Sequence, residues 1–83
     1  MSLNSFGGMA SASAFVVTPD DNNDLPSVTR GIYIGGSGNL VCILQDDTTS
    51  ITFTALAGGV IYSFQIKRIL SSGTTATNII GLR

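Results

Sequence analysis

Apolar residues fall in short bursts along this chain, and polar, turn-forming residues separate the bursts. The cleanest burst is Ser50–Ala55, where Ile51, Phe53 and Ala55 alternate with Thr52 and Thr54. A period of two sends successive side chains to opposite faces of a strand. Val60–Leu70 is long enough for a helix, but Tyr62, Phe64 and Ile66 alternate with Ser63, Gln65 and Lys67, which predicts one continuous strand. Asn39–Leu44 is continuously apolar, as a strand covered on both faces is. Ala14–Thr18, Val28–Ile34 and Thr74–Leu82 complete the set, each carrying β-branched or aromatic residues that favour extended backbone.

The punctuation between these runs has its own chemistry. Pro19 to Asp24 is Asp- and Asn-rich, and such side chains bond their own backbone in turns. Leu25 precedes Pro26 and is therefore held extended. Gly35-Gly-Ser-Gly38 reads as a tight hairpin reversal, where positive φ carries no steric penalty. Gln45–Thr48, Ala57–Gly59 and Ser71–Gly73 mark further turns. Strands at this spacing predict an all-β fold, a small antiparallel β-sandwich or barrel of about six strands. Short turns predict meander hairpins over most of the length. Residues 1–14 lack a pattern and read as a flexible N-terminal arm, with Phe6 and Met9 as its apolar anchors. Residues 15–83 read as a single β domain.

Size sharpens the picture. A chain of 83 residues makes one domain and buries only roughly 60–65% of the surface that its unfolded form exposes. Chains this small usually add disulfides, a metal or partner subunits. Cys42 is the single cysteine and there is no histidine, so neither a disulfide within the chain nor a zinc site is expected. Oligomerisation, or docking on a larger body, remains. The charge points the same way. The net charge is −1, charged residues make up 11% of the chain and apolar ones 43%. That much apolar surface in so small a chain predicts protein partners. It does not suit nucleic acid, which needs a basic stripe. No run approaches the ~20 apolar residues of a membrane span. The start of the chain lacks the basic and apolar regions of a secretory signal, and the lone Cys42 suits assembly in a reducing cytosol.

Catalytic chemistry is hard to build from these residues. Asp20, Asp21 and Asp24 could offer oxygens to calcium, but the EF-hand spacing and its bidentate glutamate are missing, and Asx turns explain the cluster. Gly35–Gly38 precedes a strand and lacks the lysine of a phosphate-binding loop. Asp46 and Asp47 sit together on a turn tip with nothing to shift their acidity. Cys42 has no histidine to activate it and reads as a packed apolar side chain. Lys67 and Arg68 are too few for a nucleic-acid footprint and read as an exposed strand face or a salt bridge across a subunit boundary. No enzymatic activity and no cofactor is expected.

Three segments carry a family resemblance: Val17-Thr-Pro-Asp-Asp-Asn-Asn-Asp-Leu-Pro26, Arg30-Gly-Ile-Tyr-Ile-Gly-Gly-Ser-Gly-Asn-Leu40 and Arg68-Ile-Leu-Ser-Ser-Gly-Thr-Thr-Ala-Thr-Asn-Ile-Ile-Gly81. Their order and spacing resemble the head spike-base and capsid decoration proteins of tailed bacteriophages and gene transfer agents. The chain departs from that pattern at Gly58–Tyr62, where members carry a proline-bearing turn. The resemblance implies a virion structural protein on the capsid surface, made in the host cytoplasm, with no catalytic site. Its implied partners are the major capsid protein, further copies of itself as a trimer or pentamer, and a spike or tail-fibre protein. Phe6, Met9, Phe15, Tyr33, Lys67 and Arg68 are the candidate partner-binding residues. The alternative is a ligand- or carbohydrate-binding β module of a tail or fibre. Such sites present an aromatic platform, and only tyrosines and phenylalanines are available to build one here.

Overall fold

The structure is a computed structural model that describes residues 11–83. Seven strands form two antiparallel sheets: β1 (Ala14–Val16), β2 (Gly31–Gly36), β3 (Gly38–Leu44), β4 (Ile51–Leu56), β5 (Val60–Tyr62), β6 (Ile66–Ile69) and β7 (Thr77–Leu82). Sheet A has the order β1-β7-β2-β5 and sheet B the order β4-β3-β6. The all-β expectation holds, and no helix occurs among the described residues. Ile32, Ile34 and Ile79 of sheet A meet Leu40, Cys42, Ile66 and Ile69 of sheet B in one core between the sheets.

The connections differ from a meander. Only β3 and β4 are both consecutive in the chain and paired. The glycine run is where the expectation fails first. Gly35–Gly38 is no hairpin, because β2 lies in sheet A and β3 in sheet B, with only Ser37 between them. None of these glycines has positive φ. They serve close approach instead. A Cβ on Gly38 would lie 2.6 Å from the Ala76 nitrogen, and one on Gly35 would lie 2.6 Å from the Asn78 Cβ. The strand expected over Val60–Leu70 also divides. Its first part, β5, closes the edge of sheet A, and its second part, β6, belongs to sheet B. The break at residues 63–65 carries the chain across the end of the sandwich, where the Gln45 N–H donates to the Gln65 carbonyl at 2.8 Å.

A bulge re-aims β4. The pairing shifts from Leu40 opposite Phe53 to Gly38 opposite Leu56, which leaves one extra residue on β4. Ala55 takes up the slack with φ of 59°, and its N–H donates to the Asn39 Oδ1 at 2.9 Å. The strict alternation read from the sequence therefore ends at Thr54. Leu56, not Ala55, turns into the core.

The segment from Val17 to Arg30 laces one side of the sandwich shut. The Val17 N–H donates to the Ile79 carbonyl of sheet A. The Asp20, Leu25 and Thr29 N–H groups then donate to the Ile69, Lys67 and Ile66 carbonyls along the free edge of β6. The Arg30 N–H returns to the Leu82 carbonyl of sheet A at 2.7 Å. Covering an edge in this way blocks stray strand pairing.

Candidate functional site: the outer face of the four-stranded sheet

Directly opposed residues in antiparallel strands share a face of the sheet. Val16 opposes Ile80, Ile80 opposes Tyr33, and Tyr33 opposes Ile61, so one row crosses all four strands of sheet A. Ala14, Leu82 and Gly31 form the next row on the same face. Ile32, Ile34 and Ile79 occupy the opposite, buried face. The outward row is therefore apolar throughout. Val16 is 76% exposed and Ile61 60% exposed, while Tyr33, Ile80 and Leu82 are half-buried beside them. The Tyr33 hydroxyl has no hydrogen-bond partner among the described residues. Not one strand of sheet A carries a charged residue. An antiparallel sheet with one wet face alternates apolar-in with polar-out. Sheet A breaks that rule on its solvent side.

Sheet B mixes polar with apolar groups on its outer face. Thr52 opposes Val41 and Arg68 opposes Ile43 on its outer face. Thr74 covers Val41, whose N–H donates to its Oγ1 at 3.0 Å. Arg68 is held within the chain: its Nε donates to the Asp24 Oδ1 at 2.9 Å and its Nη1 to the Asp21 carbonyl at 3.2 Å. Lys67 is half-buried at the bulge where β6 shifts register against β3.

The aspartate loop is a clasp. Asp21 Oδ1 accepts from the Ser71 and Ser72 N–H groups, each at 2.9 Å, and its Oδ2 accepts from the Ser72 hydroxyl at 2.5 Å. Those bonds, the Ser72 hydroxyl first, hold the Asp21 carboxyl below its ordinary value. Asp20 accepts from the Asn23 side-chain amide and the Asn22 N–H and is likewise lowered. These are the Asx-type bonds that the composition predicted, extended by a link to the β6–β7 turn. Among the described residues no cluster of three metal-ligating side chains forms.

Of the candidate partner-binding residues among those described, Tyr33 alone lies on the apolar outer face. Phe15 shares the inner side with Gly81 and packs against the core, with the Arg83 guanidinium 5.0 Å from its ring centre. Phe6 and Met9 lie outside the described residues. Sequence reading passed over Val16, Ile61, Ile80 and Leu82. A signal was present: Val16-Val17, Ile61-Tyr62 and Ile79-Ile80 are adjacent apolar pairs, and adjacent residues of a strand point to opposite faces. Other aromatic rings are spent on one another. Phe53 and Phe64 stack at 4.5 Å between centroids, and Tyr62 and Phe64 at 5.8 Å. A shallow open cleft of about 260 Å³ lies beside Phe64, lined by Asp46, Asp47 and Gln65, and falls short of the ~300 Å³ at which ligand pockets begin.

No protein-family model and no curated protein matches the chain. Two chains of solved structures do. The chain is 28% identical to a component of the capsid of a native GTA (gene transfer agent) particle, computed with C5 symmetry. The likeness is to a capsid chain. It covers 89% of this chain and 84% of that one, with a TM-score of 0.78. It therefore spans both sheets, not one shared hairpin.

Proposed function

We propose that this chain is a structural protein of a phage or gene transfer agent virion, mounted on the capsid exterior as a decoration (cement) subunit or as the base of a head spike. The observation that carries this reading is the likeness to a GTA capsid chain at 28% identity over 89% of the length. Three physical features support it. The sandwich leaves a charge-free apolar sheet face on its surface, and such faces mark protein contacts. Its core is small, ten buried apolar side chains among the described residues, so contact with a larger body adds burial. Asp20, Asp21, Asp24 and Arg68 are engaged in bonds that hold the fold, which leaves them as structural groups. The role is mechanical: the subunit adds buried surface across a joint, either between shell proteins or between shell and fibre.

Cryo-electron microscopy of the parent particles tests this. Density for this fold at fivefold vertices identifies a spike base, and density spread over the shell identifies a cement protein. Density confined to the tail, or absence from the particle, refutes the capsid assignment.

A further inference from the structure

We infer that the free edge of β4 is a strand-addition site for an extended segment of a different protein of the same assembly, one that carries a lysine or arginine into the cleft between Asp46, Asp47 and Phe64. The inference deepens the structural-subunit reading and rests on it for the source of the partner.

The two lateral sides of the sandwich differ. Where β1 and β6 end their sheets, the segment from Val17 to Arg30 bonds along the β6 edge. β4 and β5 end the sheets on the other side, joined by the short turn at Ala57–Gly59. Among the described residues no loop backbone bonds to the backbone of Ile51–Leu56 on that side. Alternate N–H and C=O groups of a strand point to each side, so β4 presents a row of unpaired donors and acceptors. An edge is normally blunted by a charge, a proline or a bulge. From Thr48 to Ile66 this chain has neither a charge nor a proline. The bulge lies at the Leu56 end, and Ile51–Phe53 keep regular register with β3. Ile51 is 48% exposed, and Thr52 and Thr54 are exposed beside it.

The occupant follows from two kinds of complementarity. Extended backbone is what matches a row of unpaired strand groups. Charge selects its side chain. The cleft of about 260 Å³ lies at the Ile51 end of the edge, walled by Asp46 and Asp47 of the β3–β4 turn and by Ser63, Phe64 and Gln65 of the β5–β6 link. Phe64 stacks on Phe53 of β4 at 4.5 Å, so cleft and edge form one surface. The Asp46 and Asp47 carboxylates have no ion pair among the described residues. Two carboxylates beside an aromatic ring suit a guanidinium or ammonium group, which gains charge-assisted bonds from the first and a cation–π contact from the second. A second copy does not supply that group on an extended segment. All four basic residues lie on or next to the laced side: Lys67 and Arg68 on β6, Arg30 at the end of the lacing segment and Arg83 over Phe15 of β1. Residues 1–10 contain no basic residue.

The test adds the purified full chain to parent particles made without it and reads binding by co-sedimentation. Wild type is expected to bind, and to bind more weakly as salt is raised. Asp46→Asn combined with Asp47→Asn is expected to weaken binding about tenfold at low salt and to remove most of the salt dependence. Thr52→Lys is expected to weaken binding too, because a lysine on a strand edge opposes pairing. These side chains are exposed, so the far-ultraviolet circular dichroism spectrum should not change. Thr18→Lys, exposed on the laced side, is expected to bind like wild type. A cryo-electron microscopy map of the loaded particle should show one added strand beside β4 that belongs to another protein. A bare β4 edge, an added strand from a copy of this chain, or wild-type binding by either the double-asparagine or the Thr52→Lys variant overturns the inference and leaves the capsid reading standing. Wild type that does not bind the particles overturns both.

Discussion

Thr29 is the buried polar residue of the described core region, 1% exposed, and the fold depends on its hydroxyl in a way that can be measured. Its Oγ1 donates to the Phe64 carbonyl at 2.8 Å and accepts from the Ile66 N–H at 3.0 Å. Its own N–H donates to the Ile66 carbonyl at 3.1 Å. One side chain thus joins the lacing segment to the point where the chain passes from sheet A to sheet B. Thr29→Val keeps the shape and removes the hydroxyl. It deletes two hydrogen bonds, each worth about 1 kcal/mol net, and strands two backbone groups whose uncompensated desolvation costs ~1–3 kcal/mol apiece. The two figures overlap and water has partial access at Phe64, so the expected loss is about 2–4 kcal/mol. A chain of this size has roughly 4–12 kcal/mol in all. At ~4–8 °C per kcal/mol, the melting temperature should fall by more than ~8 °C. Thr29→Ser keeps the hydroxyl and loses one methyl, at a cost of about 1 kcal/mol. Urea and thermal unfolding, followed by far-ultraviolet circular dichroism at one fixed protein concentration, compare the pair. A valine variant within about 0.5 kcal/mol of wild type, the range of an innocuous surface substitution, or a serine variant less stable than the valine one, would refute the reasoning.

Acid should weaken the fold through Asp20 and Asp21. Both carboxyls are lowered from 3.8 in the folded chain, so their contribution is complete above that value and drains away as pH falls through the lower folded values. Urea midpoints should be level near neutral pH and drop below about pH 4, and Asp21→Asn should flatten part of that drop. Cys42 is fully buried and its thiol is pushed up to about 11, by burial first and by the Asp47 charge second. It should ignore a disulfide reagent at pH 8 in the native protein and react fully in guanidinium; fast native labelling would contradict its placement. Gly38→Ala should cost about 1–3 kcal/mol, because the new Cβ meets backbone atoms of Thr75 and Ala76 that cannot swing aside. Thermal melting checks this, and a melting temperature equal to wild type would show that the β2–β3 crossing has slack.

Local chemistry was legible in this sequence and long-range topology was not. The alternation at Ile51–Thr54 fixed a strand because side-chain parity is a local property. The Asp-Asn loop was read as a turn for the same reason, since Asp20 bonds residues two and three positions on. What the sequence hid was which sheet each strand joins. Gly35–Gly38 resembles a hairpin tip, yet its small residues make room for Thr75–Asn78, some forty positions away. Nothing within the tetrapeptide distinguishes a turn from a close approach. Val60–Leu70 hid its break similarly, because Tyr62, Phe64 and Ile66 keep the parity of a strand even where the backbone leaves it. The bulge at Ala55 was equally silent, since alanine is no usual choice for positive φ. The apolar outer face was present as adjacent apolar pairs, but only the cross-strand register shows that those pairs line up into one surface.

The place of β7 sets a time order for the molecule. It is the last strand of the fold, yet it lies inside sheet A between β1, the first strand, and β2. β1 pairs with nothing else, so it has no seat until β7 arrives. Sheet B needs no such wait, because β3, β4 and β6 are all present once the chain reaches Ile69. A growing chain can therefore hold one sheet as a template while the other stays open, and closure must span the greatest sequence separation in the domain, which makes it the slow step. β7 also brings Ile80 and Leu82, the middle of the apolar face. Until those residues are threaded in, the chain has neither a closed core nor a complete outer face on sheet A.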